Sequence, residues 1–121
     1  MAVDTAGAEP MEIGTSHIGG HVVLIPKRAL TVETCEQMEN TVARFIEQHK
    51  TAFVIDLKSV PLVDSRGLES LLRLNEEIRE MGGVLKIINV NALCRDILLC
   101  TRLANVFNVY QDLHAAIKSK P

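Results

Sequence analysis

The chain is poor in aromatic residues, with no tryptophan, one tyrosine and three phenylalanines among 121 residues. A surface for single-stranded nucleic acid stacks bases on aromatic rings, so this composition argues against one. Positive charge is not in excess either. Thirteen Lys and Arg against fifteen Asp and Glu leave a formal net charge of -2. Binding a phosphate backbone takes a concentrated basic surface, so nucleic acid is not expected as a direct partner. No apolar run is long enough to cross a bilayer, and no basic-then-apolar segment opens the chain. The expectation is a cytoplasmic protein with no membrane partner. The three cysteines, Cys35, Cys94 and Cys100, form no CxxC pair. They read as buried thiols in a reducing compartment.

Motifs of nucleotide and hydrolase chemistry are missing as well. There is no G-x-x-x-x-G-K-[ST], no G-x-G-x-x-G and no G-x-S-x-G. His17, His21, His49 and His114 are scattered, and none stands at metal-ligand spacing from a cysteine. His17 and His21 fall on the two strands of an expected hairpin and can face one another, although exposed hairpin histidines are commoner than two-His metal sites. No metal, no cofactor and no catalytic set are expected.

What is present is an ordinary globular balance, 47% apolar and 23% charged, in a chain the length of one domain. Residues 1–10 read as a loose N-terminal tail, and the domain runs over residues 11–121. Met11 to Ile18 and His21 to Ile25 read as strands joined by a Gly19-Gly20 turn, with Pro26 ending the second. The spacing of Cys35, Met38, Val42, Phe45 and Ile46 predicts a helix from Thr34 to about Gln48, capped by Thr31 or Thr34. Ala52 to Leu57 fits a strand buried on both faces. Asp64 to Met81 is a helix with Leu68, Leu71, Leu72, Ile78 and Met81 along one side, stopped by Gly82-Gly83. Val84 to Ile88 is a strand. A shorter helix from about Asn91 carries Leu93, Ile97 and Leu98. Val106 to Tyr110 is a last strand, and Asp112 caps a terminal helix. The order β-β-α-β-α-β-α-β-α predicts an α/β fold, a mixed, mainly parallel sheet opened by a hairpin with four helices packed on it.

The informative stretch is Val54 to Leu72, VIDLKSVPLVDSRGLESLL, in which a buried strand gives way to a loop and a serine stands where a helix begins. Backbone N–H groups at a helix start have no intrahelical partner and carry partial positive charge. A phosphate on Ser65 would be accepted there at little cost to the fold. On spacing alone the simpler reading is stronger, with Asp64 only a helix cap and Ser65 the first helical residue. The Glu76-Glu77-Ile78-Arg79-Glu80 run is most simply a solvated helix face.

The pattern D-L-x-x-V-x-x-V-D-S-x-G-L, formed by Asp56-Leu57, Val60, Val63-Asp64-Ser65 and Gly67-Leu68, resembles the signature of STAS domains of the anti-anti-sigma type. The likeness continues through Gly82-Gly83, the strand after it and the helix from Asn91 to Leu103, and covers roughly residues 11 to 118. It implies a non-enzymatic regulator whose Ser65 is phosphorylated by a partner kinase of the GHKL ATPase type that is also an anti-sigma factor. The unphosphorylated form binds that kinase and frees a sigma factor, and a PP2C-type phosphatase resets the switch. Carried across by position, Asp64, Arg66 and Gly67 frame the partner-binding surface, with Thr31 beside them; a monomer is the default state, and a dimer through a free sheet edge of the opening hairpin is the alternative. Where many members read Gly-x-Leu-Asp, this chain has Arg28-Ala29-Leu30-Thr31, and it places Arg66 where many have a small residue. That arginine is positioned to pair with a phosphate, to meet an acidic partner, or to point into water. The alternative the resemblance leaves open is a non-catalytic STAS subunit of a transporter or of a stress-signalling scaffold.

Overall fold

The computed structural model describes residues 13–102 and 106–118. The expected tail over residues 1–10 lies outside the described residues. The elements follow in the order β1 (Ile13–Ile18), β2 (His21–Pro26), α1 (Val32–Glu47), β3 (Ala52–Asp56), α2 (Ser65–Glu80), β4 (Val84–Ile88), α3 (Ala92–Cys100), β5 (Asn108–Tyr110) and α4 (Leu113–Lys118).

Gly19 and Gly20 both take positive φ, 58° and 80°, which is what a two-residue hairpin turn requires and what a Cβ would oppose. The hairpin sets β1 antiparallel to β2, and β2, β3, β4 and β5 then run parallel in spatial order. Each parallel step needs a crossover, and α1, α2 and α3 supply them.

The three crossover helices cover one face of the sheet. Cys35, Met38 and Val42 of α1, Leu71, Leu74 and Ile78 of α2, and Cys94 and Leu98 of α3 close over Val22, Leu24, Phe53, Ile55, Leu85 and Ile87. The alternate residues Val23, Val54 and Ile88 face the other way, where α4 covers them with Ala116 and Leu113. Phe53, Val54 and Ile55 are fully buried, as a strand with both faces covered demands.

Several expectations are corrected. His17 pairs with Val22 and His21 with Ile18, so the two histidines occupy opposite faces of the hairpin. The His17 ring meets Phe45 edge-on at 5.2 Å. Among the described residues no group of three or more His, Cys, Asp or Glu is placed to hold a metal. In α2 the buried stripe is Gly67, Ser70, Leu71, Leu74, Asn75 and Ile78, while Met81 is exposed. In α3 it is Cys94, not Leu93, that turns inward. Cys100 is exposed, and so it is not one of the buried thiols. Helix α1 begins at Val32, with Thr31 in the cap position but making no side-chain cap bond, and β5 begins at Asn108. No described helix is long and apolar enough to cross a membrane.

Candidate functional site

The C-terminal ends of the parallel strands feed the starts of α1, α2 and α3, and the Ser65 segment lies among them. Strand β3 ends at Asp56, whose Oδ1 accepts from the Lys58 backbone N–H at 2.9 Å and from Asn89 Nδ2 at 3.1 Å. This turns the chain out of the sheet and ties it to the end of β4. Val60 and Val63 then anchor the loop inward, while Pro61 and Leu62 lie exposed between them. The Val60 carbonyl accepts from Asn91 Nδ2 at 2.8 Å, which fixes the loop to the cap of α3.

The other side of the loop is held by the segment entering α1. Leu30 forms a parallel bridge with Val63. The Leu30 N–H donates to the Leu62 carbonyl at 2.9 Å, and the Leu30 carbonyl accepts from the Asp64 N–H at 3.3 Å. Asp64 then caps α2, its Oδ1 accepting from the Gly67 N–H at 2.8 Å. Gly67 is buried and faces Leu30. A Cβ built there would stand 2.6 Å from the Leu30 carbonyl oxygen and 2.8 Å from Val63 Cγ1. The missing side chain is what allows α2 to start against Leu30 and Val63.

Ser65 is therefore an exposed first helical residue on a fixed loop. Arg66 is also exposed, Asp64 and Thr31 are half-buried, and Leu30 brings Thr31 to the Asp64 segment. Of the residues singled out in the sequence, Gly67 is the one that points away from solvent. Leu30, Cys35 and Glu39 belong to the same arrangement. Ser70 Oγ donates to Glu39 Oε2 at 2.5 Å across the α1–α2 contact. Only Gly67, an unfavourable residue in a helix, hinted in the sequence at so close an approach.

A chain of charges runs along the exposed side of this contact. Arg66 lies 3.7 Å from Glu69, Glu69 lies 3.8 Å from Arg73, and Arg73 lies 3.5 Å from Glu39.

Two thiols hold the loop from beneath. Cys35 Sγ lies 3.8 Å from the Arg66 carbonyl, and Cys94 Sγ lies 3.8 Å from the Val60 carbonyl, both as weak S–H donors. Burial pushes both thiols up from their ordinary pKa; hydrogen bonding from Ser70 and from Asn91 opposes the shift only in part. Native protein at about pH 8 is accordingly expected to titrate one thiol quickly with a disulfide reagent, Cys100, and the other two only in denaturant. The linkage follows the same direction. A thiol whose pKa is raised by folding contributes stability below its unfolded value of about 8.5 and loses it as pH rises through the folded value. Denaturation midpoints therefore fall above about pH 8.5, and the fall lessens in Cys35→Ser.

A family model for the STAS domain matches residues 12–116. No curated protein matches the sequence significantly. Among solved structures, a putative anti-sigma factor antagonist from Thermotoga maritima superposes with a TM-score of 0.82 at 20% identity, covering 88% of this chain and 92% of that one. The phosphorylated form of the Bacillus cell-fate determinant SpoIIAA gives 0.65 at 16% identity over 89% and 99%. A sulfate transporter family protein from Wolinella succinogenes gives 0.74 at 16% identity over 85% and 86%. At these identities the likeness is one of fold. With the family model spanning nearly the whole described chain and the five-stranded sheet with its helices in agreement, the chain belongs to the STAS domain family.

Proposed function

We propose that the protein is an anti-sigma factor antagonist that works by partner switching, with Ser65 as the phosphate acceptor. The observation that carries this reading is an exposed serine hydroxyl on the first residue of α2, in a segment pinned by Leu30, Val60 and the Asp64 cap. A kinase needs an accessible hydroxyl, and a switch needs a group that can change charge without disturbing the core; Ser65 meets both needs. Solved neighbours described as an anti-sigma factor antagonist and as a phosphorylated cell-fate determinant support the reading.

In this scheme the unphosphorylated α2 start docks on a GHKL-type anti-sigma kinase. Transfer of the γ-phosphoryl group from ATP to Ser65 Oγ, with loss of the hydroxyl proton, adds about two negative charges beside Asp64. The like charges and added bulk separate the complex, and a PP2C-type phosphatase restores the hydroxyl. The sheet and its helices keep their places. Asp64, Arg66 and Thr31 contribute to the docking surface, and Gly67 shapes it by letting α2 lie against Leu30. The protein itself performs no catalysis and acts in the cytoplasm.

The experiment is affinity capture from the source cell with wild type, Ser65→Ala and Ser65→Asp as baits. Wild type and Ser65→Ala hold a GHKL-type kinase, and only wild type is phosphorylated by it. Ser65→Asp binds roughly 100-fold more weakly, because juxtaposed like charges cost several kcal/mol. Undiminished binding by Ser65→Asp rejects the switch. The Wolinella neighbour, a sulfate transporter family protein, gives the second reading, a subunit of a transporter complex. Transporter components on all three baits would favour it.

A further inference from the structure

Resting on Ser65 as the acceptor, the geometry points to a charge exchange at the adjoining residue: phosphate on Ser65 takes the Arg66 guanidinium away from Glu69, making Arg66 a phosphate clamp and Glu69 its competitor. The resting pair is built to be exchanged. Arg66 Nη1 and Glu69 Oε1 are 3.7 Å apart, and both side chains are more than half exposed, 58% and 59%. Such surface pairs contribute little and are readily broken. Glu69 is not abandoned when Arg66 leaves, because Arg73 Nη2 lies 3.8 Å from the same oxygen.

The phosphate needs that cation. At the start of α2 the Gly67 N–H is already taken by Asp64 Oδ1, and the Leu68 N–H by the Asp64 carbonyl. The Ser65 and Arg66 N–H groups are what the helix start still offers. The Asp64 carboxylate beside them repels a dianion. Of the other charges on adjoining segments, Lys58 is drawn to Asp56 at 3.9 Å, Arg28 and Glu33 belong to the approach and first turn of α1, and Arg66 follows the acceptor directly. A guanidinium binds phosphate through paired, charge-assisted hydrogen bonds, and a phosphate brings twice the charge of a carboxylate. Residues 65 and 69 are four apart and share a side of α2, so a phosphate on Ser65 and the Glu69 carboxylate both stand within reach of the Arg66 guanidinium, and the more highly charged phosphate draws it more strongly. The two anions compete for one arginine.

The exchange extends the switch along α2. Before phosphorylation the Arg66–Glu69–Arg73–Glu39 chain alternates in sign. Afterwards Arg66 partly neutralises the phosphate, and Glu69 is left to Arg73, which it shares with Glu39. A partner covering this face meets a changed charge at residue 69, one helical turn from the modified serine, as well as at residue 65.

The test needs no partner protein. Phosphoserine is placed genetically at position 65 of the full chain, and the second pKa of its phosphate is read by phosphorus NMR at low salt. The variants are wild type, Arg66→Gln, Glu69→Gln and the double variant; all the substituted side chains are exposed. A clamp that favours the dianion predicts a pKa higher in Arg66→Gln than in wild type by roughly 0.5 unit, the size expected of a surface charge pair. Competition predicts that Glu69→Gln lowers the pKa more when Arg66 is present than in the Arg66→Gln background. An Arg66→Gln pKa equal to that of wild type overturns the clamp, and an equal Glu69→Gln effect in both backgrounds overturns the competition. Because the phosphate is installed without a kinase, either result leaves the question of who phosphorylates Ser65 separate. Failure of that broader reading appears instead as wild type that no cellular kinase modifies.

Discussion

Gly67→Ala lowers the free energy of unfolding by about 2–3 kcal/mol, although alanine is the better helix former by about 1 kcal/mol. In an open helix the substitution would stabilise. Here the new methyl would stand 2.6 Å from the Leu30 carbonyl oxygen, 2.8 Å from Val63 Cγ1 and 3.0 Å from Leu30 Cβ. Two of those three atoms belong to Leu30, which is fully buried and bridged to Val63, so no flexible side chain can swing aside to make room. Either the start of α2 moves off Leu30 or the Leu30–Val63 bridge opens. Both outcomes displace the Asp64 cap and the hydroxyl of Ser65. The loss is read as a lower urea midpoint at unchanged slope, or as a drop of about 10 °C in the thermal midpoint. If the position is sensitive only because of packing, Ser65 should also become a poorer phosphate acceptor in the same variant. A wild-type midpoint in Gly67→Ala would mean that α2 is not clamped against Leu30.

That close approach shows where sequence reading reaches its limit. The order of elements was legible because each has a local cause: Gly19-Gly20 for the hairpin, a continuous apolar run for β3, Asp64 as a cap and Asn91 near the start of the next helix. The Asp64 cap is observed, with the Gly67 N–H donating to it, and the structure shows Asn91 capping α3 in the same way through the Cys94 N–H. The phase of α2 was harder to see. Its inward stripe includes Gly67, Ser70 and Asn75, residues that hydropathy assigns to the surface, because α1 approaches closely enough for Ser70 to reach Glu39. In α3 both Leu93 and Cys94 fit an apolar face. What decides between them is the Val60 carbonyl, which meets the Cys94 thiol and comes from a segment 34 residues away. The serine at a helix start could be located from local sequence. Its support could not, because Leu30 and Cys35 become its neighbours only through the parallel order of β2 and β3.

A lysine at the centre of the sheet gives the second large effect. In V-L-K-I-I, Lys86 sits between apolar neighbours in an inner strand, yet its exposure is 0%. It lies on the face covered by α4, in register with Val54. Its Nζ donates to the Ala116 carbonyl at 2.6 Å, lies 3.4 Å from His21 Nε2, and stands 5.6 Å from the centre of the Tyr110 ring. His21 Nδ1 is 3.0 Å from the Gly19 carbonyl, which places the ring proton there and leaves Nε2 to accept from the lysine. The carbonyl end of a helix is the favourable place for a cation. Helix α4 spans only six residues, too few to be stable alone. Lys86 and α4 therefore depend on each other: the helix supplies the acceptor, and the lysine helps hold the helix down. Lys86→Ala is expected to lose about 3 kcal/mol, since it empties a fully buried site and leaves the Ala116 carbonyl without its donor. Lys86→Met keeps the volume and removes the cost of burying a charge, so it should stay within about 1 kcal/mol of wild type in urea unfolding. Amide exchange should separate the two contributions. Lys86→Met retains the sheet's protection while that of the last turn of α4 falls, because apolar packing by Leu113 and Ala116 replaces a directed bond. Equal losses in the two variants would mean that the charge itself, rather than the space it fills, holds α4 on the sheet.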